Sequence, residues 1–92
     1  MMRVDLTLKF LCIVKSRSIA KSLCEENAVL VNGKPAKSSS PVRAGDLVKI
    51  HLRPDRDFLF KLVEVPEKQL SKSVAPTYYE PVRAPHPGED DN

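Results

Sequence analysis

The sequence predicts an α+β fold in which two short helices pack on a small, mainly antiparallel sheet, followed by a short C-terminal helix and a disordered tail. Three observations predict it. Apolar residues recur at helical spacing twice before Asn27. Asn32-Gly33, the dipeptide best suited to a two-residue type I′ turn, follows a short apolar run. Leu47 to Leu52 alternates apolar and polar side chains, as a half-buried strand does.

Taken in order, Asp5 is read as the N-cap of a first helix whose apolar stripe is Val4, Leu8, Leu11 and Cys12, running to about Val14. After a break at Lys15-Ser16, Ser16 caps a second helix. Its apolar set is Ile19, Ala20, Leu23 and Cys24, with Ile19 and Leu23 expected to face the core, and Asn27 is suited to the left-handed closure. Val29-Leu30-Val31 reads as a strand leading into the Asn32-Gly33 turn. Pro35 to Pro41 is expected to be an irregular return, and Ala44-Gly45-Asp46 another turn. The strand Leu47 to Leu52, a charged turn from Arg53 to Asp57 and a third strand from Phe58 to Val65 complete the sheet, with Pro66 stopping the ladder. Gln69 to Ala75 is the expected short helix, and Tyr78-Tyr79 pack this extension onto the sheet. The chain thus divides into a domain over residues 1–66, an extension over 67–83 and an acidic tail over 84–92, whose prolines and acids leave almost nothing to bury.

Ninety-two residues suffice for one modest core, because a chain this short buries only about 60% of the surface it exposes unfolded. A separate catalytic domain does not fit. With 41% hydrophobic and 29% charged residues the composition is that of a globular chain, away from disordered or fibrous classes. The net charge of +3 conceals a split: residues 1–61 carry 12 Lys/Arg against 6 Asp/Glu, and residues 62–92 carry 3 against 6. The basic part, at +6, is the candidate polyanion reader. The start MMRVDLTLKF has neither an uninterrupted apolar stretch nor a cleavage site, so a cytoplasmic location and reduced Cys12 and Cys24 are expected. Both thiols fall at core positions, without the His neighbours of a zinc site. No apolar run reaches the ~20 residues of a membrane span.

The chemistry lies in the placement of cations. Arg17 and Lys21 stand four apart on one face of the second helix, with Lys15 just before its electropositive end. Lys34 and Lys37 follow the hairpin turn, and the Asn32 amide can donate and accept at a base edge or a 2′-hydroxyl. If about five phosphates are neutralised, log K falls against log salt with a slope of roughly −3.5 to −4.5. A merely solvated basic face is the bland alternative. His51 and His86 have no nucleophile or carboxylate partner nearby in sequence, and Glu25-Glu26 point in different directions, so no catalytic group, metal site or cofactor is expected. An adaptor using the acidic tail, an RNA-binding accessory subunit of an RNA-modifying enzyme and a small sulfur carrier are competing classes. The last usually needs a terminal Gly-Gly, and this chain ends Asp90-Asp91-Asn92.

Arg3-Val4-Asp5-Leu6-Thr7-Leu8, Lys15-Ser16-Arg17, Ala20-Lys21, Val29 to Lys34 and Ala44-Gly45-Asp46 resemble the ribosomal protein S4-type RNA-binding domain, ungapped from Arg3 to about Asp46. Continuation into further sheet and the terminal Tyr78 to Val82 look like the stand-alone heat-shock protein 15 group. The resemblance implies an αL motif, two helices and a hairpin, that binds structured RNA through Arg3, Lys15, Arg17, Lys21, Asn32, Lys34 and Lys37. Lys9 and Arg43 are taken with this set. It also implies a monomeric, non-catalytic partner of ribosomal RNA and the large ribosomal subunit, with tRNA a further candidate, acting in rescue of stalled subunits that carry nascent chain-tRNA. The chain departs from the pattern at Leu6 and Cys12, where relatives often carry basic residues, at Thr7, where an aromatic is common, and at Asn27-Ala28, which replace a Gly-basic pair.

Overall fold

The structure is a computed structural model that describes residues 2–53 and 56–82. The acidic tail expected at 84–92 and the tip of the charged turn lie outside these residues. The chain runs β1 (Met2–Arg3), α1 (Val4–Phe10), α2 (Arg17–Glu25), β2 (Val29–Val31), β3 (Lys34–Pro35), β4 (Pro41–Val42), β5 (Leu47–Arg53), β6 (Arg56–Leu62), a 3-10 turn (Ala75–Tyr78) and β7 (Tyr79–Pro81). Five strands form one antiparallel sheet in the order β3-β2-β5-β6-β7, while β1 and β4 pair separately. The expected α+β arrangement is therefore present, and its helices share one core with the sheet: Val4, Leu8 and Leu11 meet Ala20 and Cys24, then Val29, Val48, Ile50, Phe60 and Leu62.

Both helices stop by the same device. Cys12 and Asn27 adopt positive φ, 62° and 59°. In α1 the Ile13 and Cys12 amides donate to the carbonyls of Leu8 and Lys9, at 3.1 and 3.0 Å. In α2 the Ala28 and Asn27 amides donate to Leu23 and Cys24, at 2.8 and 3.0 Å. These are Schellman closures, which satisfy carbonyls a helix end would otherwise leave unpaired. Asn27 behaves as expected. The first helix, however, ends at Phe10, four residues before Val14, because the left-handed Cys12 closes it, and a cysteine there gives no sequence signal where glycine or asparagine would. Leu11 and Val14 still reach the core from the connection.

Two further expectations for the helices change. Asp5 is not an N-cap: Arg3 holds that position without a side-chain cap, and the Val4 and Asp5 amides instead donate to the carbonyls of Ser40 and Ser38, at 2.8 and 3.3 Å. Ser16 does cap α2, its oxygen accepting from Ile19 N-H at 3.2 Å. Ile19 is 44% exposed and Leu23 only partly buried, so the face of α2 that meets the core is Ala20 and Cys24, small residues four apart that let the helix approach closely. Buried Thr7, where an aromatic is common, satisfies its hydroxyl on the Arg3 carbonyl at 2.9 Å.

The hairpin is as the sequence implies. Asn32 and Gly33 take φ of 54° and 85°, Val31 faces Lys34, and this two-residue loop is the type I′ turn. Within the return segment, Pro41–Val42 unexpectedly forms β4, which ties the N-terminus through Met2↔Val42 and Arg3↔Pro41. Val48 and Ile50 point inward from β5 while Lys49 and His51 point out. The third strand is shifted: it starts at Arg56 rather than Phe58 and ends at Leu62 rather than Val65, well before Pro66. The short C-terminal helix is a single 3-10 turn that begins at Ala75, where the expected helix from Gln69 was to end. Tyr79 packs on Phe58 and Phe60 with ring centroids 6.0 and 5.2 Å apart. No helix among the described residues is long and apolar enough to cross a membrane.

Nothing lies within 4 Å of where a Cβ on Gly33 would stand, so Gly33→Ala isolates backbone strain. We expect it to destabilise the protein by ~1 kcal/mol, read as the shift in urea midpoint. A neutral effect would contradict the type I′ assignment.

Candidate nucleic-acid interface

The basic residues are organised around a carboxylate. Asp5 is 1% exposed, on the first turn of α1. Its two oxygens accept from Arg3 Nε at 2.8 Å and Arg17 Nε at 3.1 Å, and one of them also accepts from the Leu6 amide at 2.7 Å. Burial alone would push this carboxyl up, but the hydrogen bonds from Arg17, Arg3 and Leu6 outweigh it and hold it below the usual value of 3.8. Arg3 and Arg17 remain 39% and 49% exposed. Both are gripped through Nε, which leaves the terminal Nη donors of each guanidinium fork for an outside acceptor. Such a fork matches phosphate oxygens, and its orientation is fixed before any ligand arrives.

Lys21 stands one turn beyond Arg17 and lines the same open cleft with Arg3, Arg17, Ser18 and Ser38. Ser38 belongs to the loop whose carbonyls receive the α1 amides, and Lys37 adjoins it in a tight turn in which Ser40 N-H donates to the Lys37 carbonyl at 2.9 Å. Arg3, Arg17 and Lys21 are thus brought together, whereas Lys37 precedes Ser38 in the chain without lining their cleft. Three cations against one carboxylate leave it strongly positive.

The remaining candidates are placed otherwise. Lys9 and Lys15 line a different cleft, where Lys9 Nζ donates to Gln69 Oε1 at 2.8 Å. Lys34 is exposed on β3, immediately past the hairpin turn. Asn32 has a structural role besides: its amide donates to Asp46 at 3.1 Å and its carbonyl oxygen accepts from Leu47 N-H at 3.0 Å, so both ends brace the hairpin against β5 while the side chain stays exposed. Arg43 is exposed just after β4, its backbone N-H bonded to Asp46 at 3.0 Å. Sequence reasoning missed Asp5 as organiser, although an acid set between Val4 and Leu6 near two arginines was a usable signal. Cys24 is buried and its thiol is pushed up, first by desolvation and then by the charges of Asp5 and Glu25, which suits a packing role.

Two helices closed by tight turns, an Asn-Gly hairpin and a preorganised basic cleft at the start of α2 define a small polyanion-binding module. The chain belongs to the S4 domain family, whose model matches residues 2–48. It is similar over most of its length to the RQC P-site tRNA stabilizing factor of Helicobacter pylori, at 35% identity over 82% of this chain and 95% of that one. The protein of the same name from Halalkalibacterium halodurans is 36% identical over 86% of this chain and 88% of that one. The trimeric structure of Vibrio cholerae Heat Shock Protein 15 shares the fold, with a TM-score of 0.80 at 24% identity, covering 87% of this chain and 80% of the other.

Because the Asp5 carboxyl is depressed in the folded protein, its contribution to stability is complete above the ordinary value of 3.8 and is lost as pH falls through the lower, folded value. Asp5→Asn is expected to lower stability by ~1.5–3 kcal/mol at pH 7. In urea titrations the gap to wild type should close as the pH drops below 3.8; a gap constant down to pH 2 would contradict the ionic role.

Proposed function

We propose that this protein binds structured RNA of the large ribosomal subunit and acts as a non-catalytic factor in the rescue or quality control of subunits that retain a nascent chain on tRNA. The observation that carries the reading is the cleft of Arg3, Arg17 and Lys21, in which a buried carboxylate holds two guanidinium forks ready for phosphate. Membership of the S4 domain family agrees with it, as do the names of the relatives, stabilizing factors for P-site tRNA. This proposed role implies a cytoplasmic location. All three cations come from one copy of the chain, so a monomer presents the whole cleft.

The chemistry required of such a factor is binding and positioning rather than bond breaking. Phosphate contacts fix a protein's register on a nucleic acid without reading sequence. RNA helices are recognised largely through shape, backbone and 2′-hydroxyls, which suits a rigid cleft of guanidinium and ammonium groups. Affinity then derives from counterion release and falls steeply with salt.

Filter binding to large-subunit ribosomal RNA across a salt series tests the proposal. Arg17→Ala combined with Lys21→Ala should weaken binding by ~1–3 kcal/mol while the protein still folds at 25 °C. Salt-insensitive retention of the wild type, or undiminished affinity in the double variant, would refute it.

A further inference from the structure

We propose that the C-terminal extension builds a second cationic cleft, formed by Lys9, Lys15 and Lys72, which takes a neighbouring stretch of the same RNA's phosphate backbone. The inference rests on the RNA-binding reading above and adds Gln69 and Lys72, beyond the S4 match at 2–48, to Lys9 and Lys15 within it.

The extension docks on the C-terminal end of α1. Leu70 N-H and Gln69 Nε2 both donate to the Phe10 carbonyl, at 3.1 and 3.3 Å, and Cys12 Sγ donates to the Leu70 carbonyl at 3.3 Å. Leu70 and Ala75 are buried, so this segment is anchored. Docking brings Gln69 and Lys72 into the lining of one open cleft of ≈ 390 Å³ together with Lys9 and Lys15. Gln69 fixes the Lys9 ammonium at 2.8 Å, and Ile13 and Val14 supply an apolar wall.

No carboxylate lines this cleft among the described residues, in contrast to the Asp5 site. Three like charges gathered without a counter-charge repel one another and concentrate anions. Lysine ammoniums are point charges without a fork, suited to backbone phosphates rather than to reading a particular group. Lys15 belongs to this cleft and Arg17 to the first, yet two residues span at most roughly 7 Å of chain, so the clefts adjoin across the start of α2. A ligand that fills both needs regularly spaced negative charges, which a polynucleotide strand has.

The test uses the full chain and large-subunit ribosomal RNA in a salt series, comparing wild type with Lys72→Ala, Lys15→Ala plus Lys72→Ala, Lys72→Arg, Arg17→Ala and Lys61→Ala. Lys61 is exposed on β6 and serves as a control for lost charge alone. The slope of log K against log salt should shrink by about 0.7–0.9 for each of Lys15 and Lys72 removed. Lys72→Arg should keep the wild-type slope, and Lys61→Ala should leave it unchanged. Wild-type slope and affinity in the Lys15 and Lys72 variants, with weakened binding in Arg17→Ala, would overturn the second cleft while leaving RNA binding intact. An effect of Lys61→Ala equal to that of Lys72→Ala would overturn it too. Absence of salt-sensitive binding by the wild type would overturn the RNA-binding reading itself.

Discussion

One buried carboxylate, Asp5, organises the basic cleft at the start of the two helices. Asp5 sits in the first turn of α1 with almost no solvent contact, and a charge in that position requires partners. It finds them in Arg3 from β1 and Arg17 from α2, so one side chain couples the N-terminal strand, the first helix and the second. Desolvation and ion pairing oppose each other here, and pairing prevails because three donors converge on two oxygens. Exposed pairs elsewhere carry much less weight: Lys49 and His51 meet Asp57 on the outer face of the sheet, where water screens them.

The rest of the architecture serves to keep that arrangement in place. The loop at 38–40 accepts the first amides of α1, and β4 pairs with β1, so the segment carrying Arg3 is held on both sides. Ala20 and Cys24 bring α2 close to the core, with Arg17 and Lys21 on its exposed side. Asn32, with its two hydrogen bonds to Asp46 and Leu47, locks the hairpin to the central strand. Rigid presentation matters because flexible cations lose conformational entropy when they bind, and fixed ones lose little.

Local chemistry was legible in the sequence, and long-range pairing was not. Ser16, Asn27 and Asn32-Gly33 each act on their immediate neighbours, and each does in the structure what its residue type implies. The closure at Cys12 was invisible because cysteine has no preference for the left-handed region it adopts. Ile19 was misplaced because apolar character at helical spacing does not say which part of a wide stripe meets the core, and here two small residues do. The strands β1 and β4 are two residues each and are defined only by one another, 38 or more positions apart. Lys15, Arg17 and Lys21 were picked out from charge and spacing and Arg3 from the resemblance, whereas Lys72 was not, and the division of these cations between two clefts depends on Asp5 reaching Arg17 and on Gln69 reaching Lys9, contacts that span 12 and 60 positions.

What distinguishes this site from a generic basic surface is geometry held by a negative charge. The two views give opposite signs for one change. Asp5→Asn raises the net charge by one, so attraction by charge alone would strengthen binding of large-subunit ribosomal RNA at low salt. The direct measurement is the Kd of that variant under conditions where it is fully folded. Weaker binding than wild type is expected, because the arginine forks lose their anchor; equal or tighter binding would contradict the anchoring role of Asp5.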